Sequence, residues 1–183
     1  CDEGRYGYKP IDQGRLDHVS VREDGRLRQG DWDEALAILG GRLSRLRDAG
    51  QLDRVGVILS SRLTNEDLYA AKRLFGELGV RQVVFQRPRA GSGDELLLQP
   101  DRSPNARGAQ ALGIPEGAEG VLGRAAKGEL DVLLVFSQDL VELFGEPRVR
   151  EATARLALLA FVGPNANATA SLAHLVLPGA AYA

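Results

Sequence analysis

The sequence predicts an α/β fold, a parallel sheet with helices on both faces, preceded by a short β appendage. Two observations carry this. Continuous apolar, β-branched runs recur at strand length, at 55–60, 132–136 and 156–162. Strands buried on both faces read as such runs rather than as alternating patterns. Between them lie segments with helical spacing of apolar residues, so strand and helix alternate along the chain.

The elements follow in order. Residues 1–30 read as an extended N-terminal appendage, and 31–183 as the α/β domain. Within the appendage, Asp24-Gly25 separates 19–23 from 26–28, a hairpin signal because the turn needs positive φ. Asp31 is placed to cap a helix over 32–48, with Glu34 three residues on as a variant capping box. Ala35, Leu36, Leu39, Leu43 and Leu46 supply its apolar spacing, and Gly50 stops it. A buried strand over 55–60 follows. Thr64 caps a second helix over 65–78, whose apolar face is Leu68, Ala71, Leu74, Phe75 and Leu78, with Gly79 ending it.

A strand at 83–85 leads into a loop over 86–117, rich in glycine and proline. A loop of that length inside a compact domain is functional or marks where an insertion sits or was lost. Regularity returns with a helix near 118–127, a strand over 132–136, a helix over 147–154 and a strand over 156–162. A turn at 163–165, a short helix near 168–173 and a strand over 174–177, ended by Pro178, complete the reading.

Composition bounds the function. The 183 residues carry 44% hydrophobic and 26% charged residues with a net charge of −2. That is ordinary globular composition, with no bulk positive field for nucleic acid or anionic lipid. No apolar run approaches the roughly 20 residues needed to cross a bilayer. The single cysteine cannot form an internal disulfide, and a reducing compartment is the expectation. The chain holds no methionine and begins on Cys1, so it reads as a piece of a larger polypeptide.

Candidate chemistry is sparse. One thiolate cannot hold an iron–sulfur cluster, which normally takes four, so Cys1 is either an unpaired thiol or the last ligand of an upstream set. Ser60, Arg62, Thr64 and Asn65 lie between a strand and a helix, where open α/β sheets bind ligands and a helix start favours anions. They are a candidate phosphate or pterin pocket, or simply a helix cap. Arg81, Arg87, Arg89, Arg102 and Arg107, around Gly91-Ser92-Gly93, could cradle phosphate or form a solvated loop. His18 and His174 lack partners at zinc-ligand spacing, and His174 reads as a satisfied, half-buried histidine. Asn167-Ala168-Thr169 fits a glycosylation pattern without a secretory context. Dinucleotide and P-loop glycine fingerprints are absent.

Several stretches together resemble the molybdopterin oxidoreductase superfamily. They are CDEGRYGY at 1–8, GRLRQGDWDEALAIL at 25–39, VGVILSSRLTNEDLYAAKRLFGELG at 55–79, SPNARGAQALG at 103–113, LDVLLVFSQDL at 130–140 and the segment from 158 to 183. Within it they are most similar to the large iron–sulfur subunits of bacterial respiratory NADH:quinone oxidoreductase, complex I.

The resemblance implies a Rossmann-like domain of molybdopterin oxidoreductase type, shortened here. It places Cys1 as the fourth ligand of a [4Fe–4S] cluster whose other ligands lie upstream, and Arg5 and Tyr6 on the motif's Arg-aromatic pair. Glu3 stands where catalytic members commonly carry a lysine, and no later cysteine is available for molybdenum. The resemblance therefore implies no catalytic residue in this chain, a vestigial pterin pocket at Ser60, Arg62, Thr64 and Asn65, and electron-transfer support without molybdopterin. It implies other peripheral-arm subunits as partners, a cytoplasmic location on the inner face of the cell membrane without direct insertion, and an exposed apolar patch where neighbours dock. A molybdopterin guanine dinucleotide-binding piece of a formate dehydrogenase alpha subunit is the alternative within the superfamily. A nucleotide-binding or interaction domain is the alternative outside it.

Overall fold

The computed structural model describes residues 12–97 and 99–181. Its strands are β1 (Val19–Glu23), β2 (Arg26–Gly30), β3 (Val55–Ser60), β4 (Gln82–Gln86), β5 (Val132–Phe136), β6 (Leu158–Gly163) and β7 (Leu175–Pro178). Its helices are α1 (Trp32–Asp48), α2 (Asn65–Leu78), α3 (Ala106–Ala111), α4 (Ala118–Ala126), α5 (Leu140–Phe144), α6 (Glu146–Thr153) and α7 (Ala168–Leu172).

The strands form one seven-stranded sheet in the order β2-β1-β7-β6-β5-β3-β4. The five from β3 to β7 run parallel, as the apolar runs predict. The hairpin extends this sheet: β1 pairs antiparallel with β7, Ser20 opposite Val176. Its turn has Asp24 at φ 47° and Gly25 at φ 79°, the doubly positive geometry that Asp-Gly predicts.

Two apolar layers cover the sheet. On one face Val57, Leu59, Phe85, Leu134 and Ala160 pack with Ala35 and Leu46 of α1, Leu68 and Phe75 of α2, and Ala106 and Ala109 of α3. On the other, Ile58, Leu133, Val135, Leu159 and Phe161 pack with Val121 and Leu122 of α4, Leu140 of α5 and Val149 of α6. Alternate residues of each strand thus feed opposite layers, which the two-sided burial of a parallel sheet requires.

Three local readings are corrected. The Glu34 carboxylate does not close a capping box. Asp31 Oδ1 does accept the Glu34 N–H at 2.8 Å, but Arg28 of β2 donates to both Glu34 oxygens at 2.6 and 3.0 Å and ties the hairpin to α1. Leu36 and Leu74 are 57% and 55% exposed. Each sits next in sequence to a stripe residue, Ala35 and Phe75, and a one-residue step turns a side chain about 100° around a helix. Leu36 and Trp32, one turn apart, form an exposed apolar pair at the start of α1. The span 86–117 is not all loop, because it contains α3.

Candidate functional site

Among the parallel strands, chain order reverses at β3. One neighbour, β4, follows it directly, while β5 lies on its other side. Such a reversal splays the connections at the carboxyl ends to opposite faces and opens a crevice there. In this protein α2 leaves β3 toward one layer and α5 leaves β5 toward the other. The crevice mouth is therefore built from 61–64 after β3 and 137–139 after β5. The sequence-based candidates Ser60, Arg62, Thr64 and Asn65 lie on its first lip.

Their side chains are mostly engaged within the chain. Ser60 is buried and its Oγ accepts the Arg62 N–H at 3.2 Å. Thr64 and Asp67 form a reciprocal capping box: Thr64 Oγ1 accepts the Asp67 N–H at 3.1 Å, and Asp67 Oδ2 accepts the Thr64 N–H at 3.3 Å. Asn65 Oδ1 accepts from Asn105 Nδ2 at 3.0 Å. Arg62 is exposed. Ser61, fully buried, has a hydroxyl without a hydrogen-bond partner among the described residues.

The second lip carries residues that sequence reasoning passed over. Ser137 has φ 52°, unusual for a residue with a side chain, and its N–H donates to the Val162 carbonyl at 2.7 Å. Gln138 beside it is buried. Asp139 joins two loops: Oδ1 accepts from Val141 N–H at 3.0 Å and from Thr169 Oγ1 at 2.8 Å, and Oδ2 from Ala168 N–H at 3.3 Å. The spacing of Asp139 and Glu142 repeats that of Asp31 and Glu34, a cap signal that could have located α5.

Arg87, Arg89 and Arg102 do not converge as one cradle. Arg87 pairs with Asp101 at 2.7 Å and Glu116 at 3.1 Å. Arg89 donates to the Leu143 carbonyl of α5 at 2.8 Å, and Arg102 to the Ser92 carbonyl at 3.5 Å. His174 is satisfied, its Nδ1 accepting the Leu159 N–H at 2.9 Å. Burial lowers its pKa, and the charges of Arg22 and Arg42 act in the same direction. His18 pairs with Asp17 at 2.6 Å, and Asn167 caps α7 by accepting the Ala170 N–H at 2.8 Å. Cys1, Arg5 and Tyr6 lie outside the described residues.

Two cofactors bear on this geometry. Among the described residues no three His, Cys, Asp or Glu side chains converge on a metal position. For a pterin dinucleotide the first lip is a poor fit. Thr64 Oγ1 and Asn65 Oδ1 are already bonded, Ser60 and Ser61 are buried, and Arg62 is exposed. Among the described residues no helix is long and apolar enough to cross a membrane.

Comparison with known proteins gives a consistent answer. Residues 15–96 match the molybdopterin oxidoreductase family model. The chain is 31% identical over 85 residues to a probable oxidoreductase, YjgC, of Bacillus subtilis, a match covering 45% of this chain and 9% of that protein. It is 35% identical over 86 residues to NADH-quinone oxidoreductase subunit 3 of Thermus thermophilus, covering 47% of this chain and 10% of the subunit. It is 29% identical over 75 residues to the putative formate dehydrogenase YrhE of Bacillus subtilis, covering 40% and 8%. The matched segment is thus about a tenth of each relative.

Proposed function

We propose, from the match of residues 15–96 to the molybdopterin oxidoreductase family model, that the chain is part of an NADH:quinone oxidoreductase subunit. In this reading it is a scaffold domain of the peripheral arm, supporting electron transfer through iron–sulfur clusters held elsewhere in the polypeptide and packing against neighbouring subunits. Cys1 is the fourth ligand of a [4Fe–4S] cluster, with the other three upstream. The assembly lies on the cytoplasmic face of the membrane, and this domain does not enter the bilayer.

The observation that carries the proposal is the engagement of the crevice residues by one another, in a chain similar to a quinone oxidoreductase subunit. A pocket that binds and turns over a substrate needs polar groups free to meet it. Ser60, Thr64 and Asn65 hold the fold instead. The exposed pair Trp32 and Leu36 suits a domain covered by neighbours in an assembly.

The test is the iron, molybdenum and pterin content of the anaerobically purified parent polypeptide. Iron without molybdenum or pterin is the expected result, with Cys1→Ala removing part of the iron. Molybdenum together with pterin overturns the proposal. It would favour the second reading, a pterin-binding piece of a formate dehydrogenase-like enzyme, for which the similarity to putative formate dehydrogenases speaks.

A further inference from the structure

The connection from β4 to α3 holds the first lip of the crevice in place. Three hydrogen bonds run from Asn105 to that lip: its N–H donates to the Ser61 carbonyl at 2.9 Å, and its Nδ2 to the Leu63 carbonyl at 2.9 Å and to Asn65 Oδ1 at 3.0 Å. Behind Asn105, α3 is seated directly on the same lip. A Cβ at Gly108 would collide with Asn65 Oδ1 and Asn105 Oδ1. Lys72 of α2 bonds the Leu112 carbonyl at the far end of α3, so that helix is fastened at both ends.

The other limb of the connection reaches across the sheet. Arg87 is clamped at its root by Asp101 and Glu116, and Gly91 N–H closes a neck by donating to the Pro100 carbonyl at 2.9 Å. Between these, Arg89 reaches the Leu143 carbonyl of α5. Since β3 lies between β4 and β5, that bond carries the strap from the β4 side, past the carboxyl end of β3, to the element that follows β5.

We propose that residues 87–92 and 100–105 are an internal closure of the switch-point crevice, in which the Asn105 carboxamide organises the β3–α2 loop in place of a bound ligand. In a ligand-binding domain of this topology the ligand meets polar groups of this loop. Here the acceptors Leu63 O and Asn65 Oδ1 are met by Asn105 and the strap crosses the mouth through Arg89, so the loop is ordered in the free chain and the crevice takes no nucleotide-type molecule. The inference rests on the scaffold reading above and adds the device that makes the pocket a structural joint.

The test uses the 183-residue chain with two readouts. Guanosine diphosphate and inorganic pyrophosphate, titrated to millimolar concentration, should leave the melting temperature unchanged; a ligand selective for the folded state would raise it with dose. Amide exchange over 61–68 should be slow in the free chain and rise about ten-fold in Asn105→Ala, with β5 and β6 unaffected. If that variant does not fold, Asn105→Asp keeps the size while replacing the amide donor by a carboxylate oxygen that the acceptors Leu63 O and Asn65 Oδ1 repel. A dose-dependent rise in melting temperature overturns the proposal, as does unchanged exchange over 61–68 in the variants. The iron content of the parent polypeptide tests the scaffold reading separately, so failure of one is distinguishable from failure of the other.

Discussion

Arg54 and Asp131 face each other as a two-pronged pair: Nε and one terminal nitrogen of the guanidinium donate to the two carboxylate oxygens, each at 2.9 Å. The two residues immediately precede β3 and β5, the strands flanking the crevice. Their backbones are joined as well, Asp131 N–H donating to the Arg54 carbonyl at 2.9 Å. The pair thus pins the amino ends of the strands whose carboxyl ends part.

Breaking that fork should weaken the sheet modestly. Each side chain is about one-third exposed, 33% and 34%, so solvent screening holds the contribution near the upper end for surface pairs, about 1 kcal/mol. Asp131→Asn keeps the shape and removes the charge. Hydrogen bonding from Arg54 holds the Asp131 pKa below its ordinary value of 3.8. The stabilisation is therefore complete above pH ~4 and lost as pH falls through the lowered folded-state pKa. Urea midpoints should separate wild type and variant at pH 7 and converge toward pH 2. A separation that persists at pH 2 would assign the effect to packing instead.

His174 has the opposite chemistry and a different window. Its folded-state pKa lies below the ordinary 6.5, chiefly through burial. The unfolded chain takes up the proton first, so stability is complete above pH ~6.5 and declines as pH falls from there toward the lowered value. His174→Ala should remove this dependence and also leave the Leu159 N–H without its acceptor, at about 1–3 kcal/mol. His174→Gln, able to accept that bond, should recover part of the stability without the pH dependence. Thermal melts between pH 5 and 8 read both effects. A wild-type profile flat over that range would contradict the assignment.

Two glycines make a paired prediction. A Cβ on Gly56 in β3 would stand 2.8 Å from Val121 Cγ1 and 3.0 Å from Leu130 Cδ1, whereas one on Gly41 in α1 would meet nothing within 4 Å. Gly56→Ala should therefore destabilise by about 1–3 kcal/mol through overpacking between sheet and α4. Gly41→Ala should stabilise by about 0.5–1 kcal/mol, because alanine favours the helix and restricts the unfolded chain. Denaturant midpoints decide it, and equal shifts for the two would refute the close-packing argument at Gly56.

What the sequence disclosed and what it withheld divides along the range of the interactions. The hairpin turn, the Thr64 cap and the apolar strands depend on neighbours a few residues away, and all are where local chemistry predicts them. The short helices α3 and α5 do not meet that condition. Asn105, at the head of α3, bonds to Leu63 and Asn65, 42 and 40 residues earlier. Asp139, at the head of α5, is held by Thr169, 30 residues later. Neither helix has the length to form alone, and apart from the Asp139–Glu142 cap spacing the local pattern gives little to mark them. The candidate lip at 60–65 was visible because strand, cap and helix are all local. Its partner lip at 137–139 and the strap above it depend on strand order, which pattern does not encode. The resemblance to an oxidoreductase family likewise located the segment without revealing that Asn65 faces Asn105.

Thr169 offers the sharpest single test of the second lip. It is fully buried, and its hydroxyl accepts the Leu140 N–H at 2.7 Å and the Val141 N–H at 3.2 Å while donating to Asp139 Oδ1 at 2.8 Å. One oxygen thereby meets two orphan donors at the start of α5 and fixes the Asp139 carboxylate that caps the same helix. Thr169→Val replaces that hydroxyl by a methyl group of similar size, so packing is nearly conserved and the loss reports the hydrogen bonds. With the buried Leu140 N–H left without an acceptor, the expected destabilisation is about 1–3 kcal/mol. Amide exchange should rise most at Leu140, Val141 and Glu142, and far less in β3 or α2, which belong to the first lip. Uniform acceleration across both lips would mean that Thr169 supports the whole core, whereas acceleration confined to α5 would show the two lips to be independent joints.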